Sequence, residues 1–179
     1  RYRVQTIFIE KYSDLTLLLG EIERRFNSHS VFISGSAAEY GAFSEREAHN
    51  FIHLVSKEIV KNNLTVINGF GLGVGSAVIN GALDAVYSNP NKFSENQLVV
   101  KPFPQFPSGG KELGELWEEY RQNMISMAGI ILILFGNKKI DDGSIEYAKG
   151  VKRELEIALS KGLWPIPIHY TGYMASELY

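Results

Sequence analysis

Residues 64–88 read LTVINGFGLGVGSAVINGALDAVYS and place a strand pattern, a glycine-rich turn and a helix pattern in immediate succession. The apolar run LTVIN predicts a buried strand, and the small residues of GSAVINGALDAVYS predict a helix that packs closely on a sheet. Between them, Gly69, Gly71, Gly73 and Gly75 stand at every second position. Glycine is costly within regular elements, so this stretch predicts a turn whose backbone approaches another group closely.

The same alternation of strand and helix extends along the rest of the chain. Further strand patterns occur at VFISG (31–35), QLVVKPF (97–103), GIILILFG (129–136) and WPIPIHY (164–170). Further helix patterns, with apolar residues at helical spacing, occur at 45–61, 111–128 and 148–162. This alternation predicts an α/β fold, a doubly wound (Rossmann-like) parallel sheet of at least five strands with helices on both faces.

Residues 1–30 carry one more amphipathic helix pattern, around DLTLLLGEIERRF, ahead of the first strand. We predict that 1–30 is a helical lead-in from an upstream domain and that 31–179 is a nucleotide-binding domain. The chain begins with Arg1 rather than Met, and we expect it to be an excerpt of a longer protein.

Composition argues against several classes of function. Basic and acidic residues number 18 and 20, for a net charge of −2, and no basic block is present to meet nucleic acid or an anionic membrane. No cysteine is present, which excludes thiol catalysis and favours a reducing cytoplasm. The longest apolar run, GIILILF, is too short to span a bilayer. The four histidines lack the spacing of metal ligands, so we expect no metal site.

In a doubly wound sheet, ligands bind at the carboxyl ends of the strands. Three segments converge there: SGSAAEYG after the first strand, the glycine turn after the second, and FGNKK after the fourth. Because the glycine turn opens a helix, its free N–H groups and the positive end of the helix dipole favour a phosphate or pyrophosphate. A tight turn without any ligand is the alternative.

Three familiar motifs fail on this sequence. A G-x-G-x-x-G fingerprint counted from Gly71 reaches Ser76, and counted from Gly73 it reaches Val78. A P-loop needs Ser or Thr after its lysine, but Glu112 follows Lys111. Neither SGSAA nor GVGSA is the G-x-S-x-G turn of an esterase. These mismatches exclude the motif-based nucleotide and esterase assignments.

Three segments together resemble the SLOG superfamily, which includes the cytokinin-activating LOG enzymes and the DprA-type proteins. They are VFISGSAAEYG, VINGFGLGVGSAVINGAL and YRQNMISMAGIILILFGN, and the resemblance covers about residues 30 to 170. Within the superfamily, the chain is most similar to the ligand-sensing SLOG domains of Thoeris anti-phage effectors.

The resemblance assigns roles to individual residues. Arg121 stands where LOG enzymes have an arginine before the fourth strand, and Gly150 and Glu154 match the glycine and glutamate of their G-T-x-x-E motif. The preceding P-G-G is replaced by FGN (135–137), and a twelve-residue polar insertion (138–149) follows it. We expect this insertion to reshape the pocket and to move the glutamate out of catalytic position.

Two functions follow from the resemblance. As a sensor, the domain would bind a cyclic ADP-ribose isomer made by a TIR-domain protein, without turning it over. Binding would activate an upstream sirtuin-like NAD-cleaving domain, with homo-oligomers forming through pairs of SLOG domains. As an enzyme, it would be a LOG-like nucleoside 5′-monophosphate phosphoribohydrolase acting through Arg121 and Glu154. An oligomerisation module with a degenerate pocket is a third possibility. We favour the sensor, with no catalytic residue and no cofactor in this domain.

The predicted ligand-binding residues come from all three converging segments and from the flanking helices. They are Ser34, Gly35, Ser36, Ala37, Gly69, Phe70, Gly71, Gly73, Arg121, Lys138 and Glu154. Each has a structural alternative: the serines as turn formers, Phe70 as a core plug rather than a stacking face for adenine, and the charged residues as solvated surface groups. Phe103 and Phe106 could form a lid or an interface.

Overall fold

A computed structural model describes Ile9 and residues 11–179. Its main sheet has five strands in the order β3-β2-β1-β4-β7, and β5 and β6 form a separate hairpin. The strands are β1 (Ser30–Ser36), β2 (Thr65–Asn68), β3 (Leu98–Val100), β4 (Ile130–Phe135), β5 (Asn137–Lys139), β6 (Ile145–Tyr147) and β7 (Trp164–Pro167). The helices are α1 (Tyr12–Asn27), α2 (Glu45–Lys61), α3 (Gly75–Ser88), α4 (Leu113–Ile125), α5 (Lys149–Ser160) and α6 (Tyr173–Glu177).

All neighbouring strands of the main sheet run parallel. From the central strand β1 the chain adds β2 and β3 on one side, and then crosses through α4 to add β4 and β7 on the other. This reversal puts a topological switch point between β1 and β4, and a crevice opens there at the carboxyl ends of the strands. The predicted doubly wound parallel sheet is confirmed.

Each face of the sheet is covered by its own hydrophobic core. On one face, α2 and α3 pack on Val31 and Ile33 of β1. On the other, α4, α5 and α6 pack on Phe32 of β1 and on Ile131 and Ile133 of β4. Alternate residues of β1 therefore point into different cores, as strand geometry requires. Helices on both faces are confirmed.

The boundaries of several elements differ from the predicted ones. Strand β3 ends at Val100 because Pro102 and Pro104 follow it and cannot donate to a ladder. Strand β7 ends at Pro167, and a 3₁₀ turn and the unpredicted helix α6 follow it. Helix α1 lies within the predicted lead-in and buries none of its residues. The start of that lead-in, residues 1–8 and 10, lies outside the described residues.

Candidate functional site

The alternate glycines let two turns contact each other at the carboxyl edge of the sheet. A Cβ atom on Gly71 would lie 2.1 Å from the carbonyl oxygen of Gly35, and one on Gly73 would lie 2.1 Å from that of Ala37. The Ala37 amide also donates to the carbonyl of Leu72 at 2.7 Å. The close approach predicted from the sequence is therefore, at Gly71 and Gly73, an approach between the β1–α2 turn and the β2–α3 turn.

The glycine turn leaves donors free at this edge. Within the part of the chain that the structure describes, the amides of Gly71, Leu72 and Gly73 donate to no other residue. Helix α3 begins directly afterwards, and its N-cap residue Val74 provides no side-chain acceptor. Unpaired amides and the positive end of a helix dipole together favour an anion.

Three side chains from three elements meet beside these turns. Ser34 at the end of β1 is buried, and its hydroxyl donates to Oε2 of Glu154 on α5 at 2.5 Å. The other oxygen of that carboxylate, Oε1, lies 3.5 Å from Nε of Arg121 on α4. The structure thus brings Ser34, Arg121 and Glu154 into one cluster.

Arg121 is enclosed on several sides and yet lacks a hydrogen-bond partner for one donor. The Phe103 ring lies over its guanidinium, with 5.2 Å between Cζ and the ring centroid. Gly150 provides space on another side, since a Cβ there would lie 3.0 Å from Nη2. Among the described residues, none accepts a hydrogen bond from the buried Nε. A buried donor without a partner costs free energy, so this group requires an explanation, and a bound ligand is one.

Burial dominates the electrostatics of Glu154. It raises the pKa of the Glu154 carboxyl above its usual value, because water is excluded from the charged form. The hydroxyl of Ser34 and the positive charge of Arg121 oppose that rise only in part. A buried carboxyl group beside an arginine is suited to form hydrogen bonds with the polar groups of a ligand.

A narrow pocket joins these groups to the turns. Four of the predicted residues line it together with Glu154: Ser34, Gly35, Gly69 and Gly71. Phe32, Ile33, Asn68 and Phe103 complete the lining. The pocket therefore lies at the carboxyl ends of β1 and β2, the edge of the sheet where the fold predicts a ligand.

The model of the Sir2- and TIR-associating SLOG family, STALD, matches residues 14–179. The chain belongs to this family. The chain is also 42% identical to the NAD(+) hydrolase ThsA of Cytobacillus dafuensis and 40% identical to that of Bacillus cereus. Both matches cover all of this chain but only 36% and 37% of those proteins, so this STALD chain spans about a third of their length.

A more distant relative and one solved structure are also similar to this chain. The NAD(+) hydrolase ThsA of Acinetobacter baumannii is 34% identical over all of this chain and 38% of that protein. The X-ray structure of TM1055, a structural genomics target, is 16% identical with a TM-score of 0.56. It covers 83% of this chain and 79% of that one, and its likeness concerns the fold alone.

The insertion in this STALD domain leaves Glu154 in the crevice, where it was predicted to bind a ligand, and its expected effect on catalytic position stays a prediction. Residues 138–149 fold back as the β5–β6 hairpin, and the Ala148 amide donates to the carbonyl of Gly136 at 2.8 Å. The hairpin therefore closes at its own base, and α5 begins next to the end of β4. Glu154 is consequently buried at a fixed position in the crevice.

Other predicted residues lie apart from the cluster. Ser36 donates its hydroxyl to the carbonyl of Asn137 at 2.9 Å, and the amide of the buried Ala37 is used between the turns. Lys138 is half exposed on the hairpin, with Nζ 3.8 Å from Oε2 of Glu146. Phe70 is 52% exposed with φ +58°, so it is no core plug. Its role as a stacking face, and the reach of Lys138 to a phosphate, stay predictions.

Two asparagines that the sequence reasoning missed organise the turns. Asn137 is fully buried, accepts from the amides of Ala38 and Glu39 through Oδ1, and donates to the carbonyl of Glu39. Asn68 donates to the carbonyl of Ile33 and accepts from the Phe70 amide. Their signal was available, because each is a polar residue that follows an apolar strand run directly.

Tyr40 is the third organising residue, and it fixes the far end of the glycine turn. Its hydroxyl donates to the carbonyl of Gly73 at 2.9 Å and lies 2.7 Å from Nε2 of His49. One tyrosine thus connects the β1–α2 turn, helix α2 and the glycine turn. The sequence held no pattern that distinguished it from the other tyrosines.

Two further observations concern only the described residues. No three of their His, Asp or Glu side chains come together in a way that would hold a metal ion. None of their helices combines the length and the apolar character needed to cross a membrane.

Proposed function

We propose that this STALD domain is a sensor of a cyclic ADP-ribose isomer, a signal that a TIR-domain protein makes from NAD. Binding activates a Sir2-like NAD-cleaving domain in the same protein, as part of anti-phage defence in the cytoplasm. The family's description as Sir2- and TIR-associating supports this proposal, as do relatives that are named NAD(+) hydrolases and are almost three times as long. The domain acts in homo-oligomers formed through pairs of SLOG domains.

The observation that carries the proposal is the buried Nε of Arg121, which has no hydrogen-bond partner among the described residues and lies beside Glu154 of the crevice. An arginine is suited to a pyrophosphate because its planar fork donates two parallel hydrogen bonds. The free amides of the glycine turn provide further donors on the opposite side. Glu154 accepts from a ribose hydroxyl, and the exposed ring of Phe70 offers a face to adenine.

The rigidity of the two turns explains a preference for a cyclic ligand. Because the carbonyls of Gly35 and Ala37 lie directly against Gly71 and Gly73, neither turn can open without breaking that contact. A compact, folded pyrophosphate fits a closed site with less loss of conformational freedom than an extended dinucleotide.

Calorimetric titration of the domain with NAD, AMP, ADP-ribose and cyclic ADP-ribose isomers tests the proposal. We expect one cyclic isomer to bind once per domain and more tightly than NAD or AMP. Equally weak binding of all these ligands would contradict the sensor function.

Substitution of the arginine tests its role in that site. Arg121→Ala is expected to weaken binding of the selected isomer by about 1.5–3 kcal/mol, the scale of a hydrogen bond to a charged group. Arg24→Ala serves as the control, because Arg24 is exposed on α1 and pairs with Glu21. If Arg121→Ala unfolds the domain in a thermal melt, the arginine is structural and its assigned role is wrong.

Phosphoribohydrolase activity is the second candidate, and the fixed position of Glu154 favours it. Against turnover, Glu154 is the only carboxylate among the described residues that line the crevice, so no second one is at hand to activate water. We therefore expect the domain to release no base from AMP and no nicotinamide from NAD at millimolar substrate, followed by chromatography. Steady release that Glu154→Gln abolishes would make the domain an enzyme.

A further inference from the structure

We infer that Phe103 is a movable cover of the Arg121 guanidinium, which a ligand must displace before its phosphates reach the arginine. This inference rests on the proposed function for the identity of the ligand, but not for the cover itself. We call residues 101–112, between β3 and α4, the Phe103 loop.

The ring of Phe103 occupies the place where an anion would meet Arg121. The Cζ atom of Arg121 lies over the face of this ring, which also lines the same pocket as Ser34 and Glu154. The ring also reaches the glycine turn, since a Cβ on Gly69 would lie 2.8 Å from its Cε2 atom. Gly69 is thus needed to accommodate this ring, and the ring connects the turn to the arginine.

The Phe103 loop is attached to the rest of the fold at few points. The Lys101 amide donates to the carbonyl of Asn68 at 3.0 Å, where the loop leaves β3. Beyond that point, the indole Nε1 of Trp117 donates to the carbonyl of Pro104 at 2.7 Å. The Gln105 side chain returns only to Phe103 of the same loop. Lys111 also donates through Nζ to Glu119 of α4, but from beyond Gly109 and Gly110. Movement of the ring therefore requires the loss of the Trp117 hydrogen bond and of the ring's apolar contacts with the core on that face of the sheet.

The sequence of the Phe103 loop suits a segment that moves as a unit about its far end. Pro102 and Pro104 flank the phenylalanine and restrict the backbone on either side of it. Gly109 and Gly110 both have positive φ, +64° and +75°, with no atom within 4 Å of a Cβ built on either. The Lys111 amide donates to the carbonyl of Ser108 at 3.1 Å across these two glycines, which close a tight turn. A stiff segment that ends in a glycine turn has its hinge at that turn.

Replacing the Phe103 ring with a phosphate group as the neighbour of Arg121 is favourable. A cation–π contact is weaker than a charge-assisted hydrogen bond, and the ring leaves Nε without a partner. A phosphate oxygen would accept hydrogen bonds from the other N–H groups of the guanidinium, whereas the ring cannot. The Phe103 ring thus shields the guanidinium from simple anions in solution, which bind it weakly. A ligand that also binds the glycine turn can displace the ring.

Two measurements test the cover on the intact domain, and the first needs no nucleotide. Phenylglyoxal modifies accessible arginines, and peptide mass spectrometry follows its reaction at Arg121. We expect several-fold faster modification in Phe103→Ala and in Trp117→Phe, which keeps the ring but loses the bond to Pro104. Phe106→Ala is the matched control, because Phe106 is 80% exposed on the same loop. Equal rates in all four proteins would overturn the cover, even if no nucleotide binds.

The second measurement is stopped-flow association of cyclic ADP-ribose. A cover predicts several-fold faster association in Phe103→Ala and Trp117→Phe than in the wild type and Phe106→Ala. Slower association or faster dissociation in Phe103→Ala would mean that the ring is a stacking platform, which overturns the inference. Absence of binding in the wild type contradicts the proposed function alone, and the phenylglyoxal rates then decide on the cover.

Discussion

Gly71→Ala would place a methyl group where the carbonyl oxygen of Gly35 already lies. The added Cβ would stand 2.1 Å from that oxygen, whereas ordinary contact begins at 3.4 Å, so the two turns must separate by about 1.3 Å (3.4 − 2.1). Both partners are backbone, and neither can rotate away as a side chain would. Overpacking typically costs 1–3 kcal/mol, and we expect about 3 kcal/mol here. For a domain of this size that is a fall in Tm of about 6–12 °C.

Differential scanning calorimetry or urea unfolding measures this loss directly. Gly114→Ala is the matched control, because a Cβ on Gly114 would meet no atom within 4 Å and the residue lies in α4. It should leave stability unchanged or raise it by up to about 1 kcal/mol. If Gly71→Ala melts within 2 °C of the control, about 1 kcal/mol, the turns are not held against each other. The glycines would then serve a ligand alone.

Three further outcomes are expected. Asn137→Ala removes three hydrogen bonds to the β1–α2 turn and should lower the free energy of unfolding by about 2–3 kcal/mol, as measured by urea unfolding. A loss below about 1 kcal/mol would contradict the role given to this side chain. Burial raises the folded-state pKa of Glu154, so its contribution to stability is full below its ordinary pKa of 4.5 and is lost as pH rises through the raised value. The Tm of the wild type relative to Glu154→Gln should therefore fall from pH 4.5 towards neutrality, and a constant difference would refute the shift. Phe70→Gly relieves a positive φ and should keep stability within about 1 kcal/mol, while ligand affinity falls if the ring stacks on adenine.

The order and type of the main elements were predictable because apolar periodicity reports burial, and burial determines this fold. Short apolar runs such as 31–35 and 129–136 indicate buried strands, because helical patterns separate them along the chain. The hairpin was missed because strands of three residues are too short to show a period. Its turn signal, Asp142-Gly143, was present, and Gly143 does adopt φ +87°.

Arg121 and Glu154 of the cluster followed from the family resemblance, whereas Ser34 followed from its place at the end of the first strand. No periodicity separates a helical arginine that faces a crevice from one that faces solvent. The effect of the insertion could not be read from its length. A hairpin returns the chain to its starting point, so the twelve residues add length without moving α5.

The closed base of the β5–β6 hairpin makes its tip a suitable place for a reporter. The hydrogen bond from the Ala148 amide to the Gly136 carbonyl holds the two ends of the hairpin together, whatever lies between them. Lengthening such a loop therefore adds only a small entropic cost. A cysteine at Asp141 would be the chain's sole thiol, since the natural sequence has none. A fluorophore attached there would report on the neighbourhood of the crevice while ligands are titrated into the purified domain.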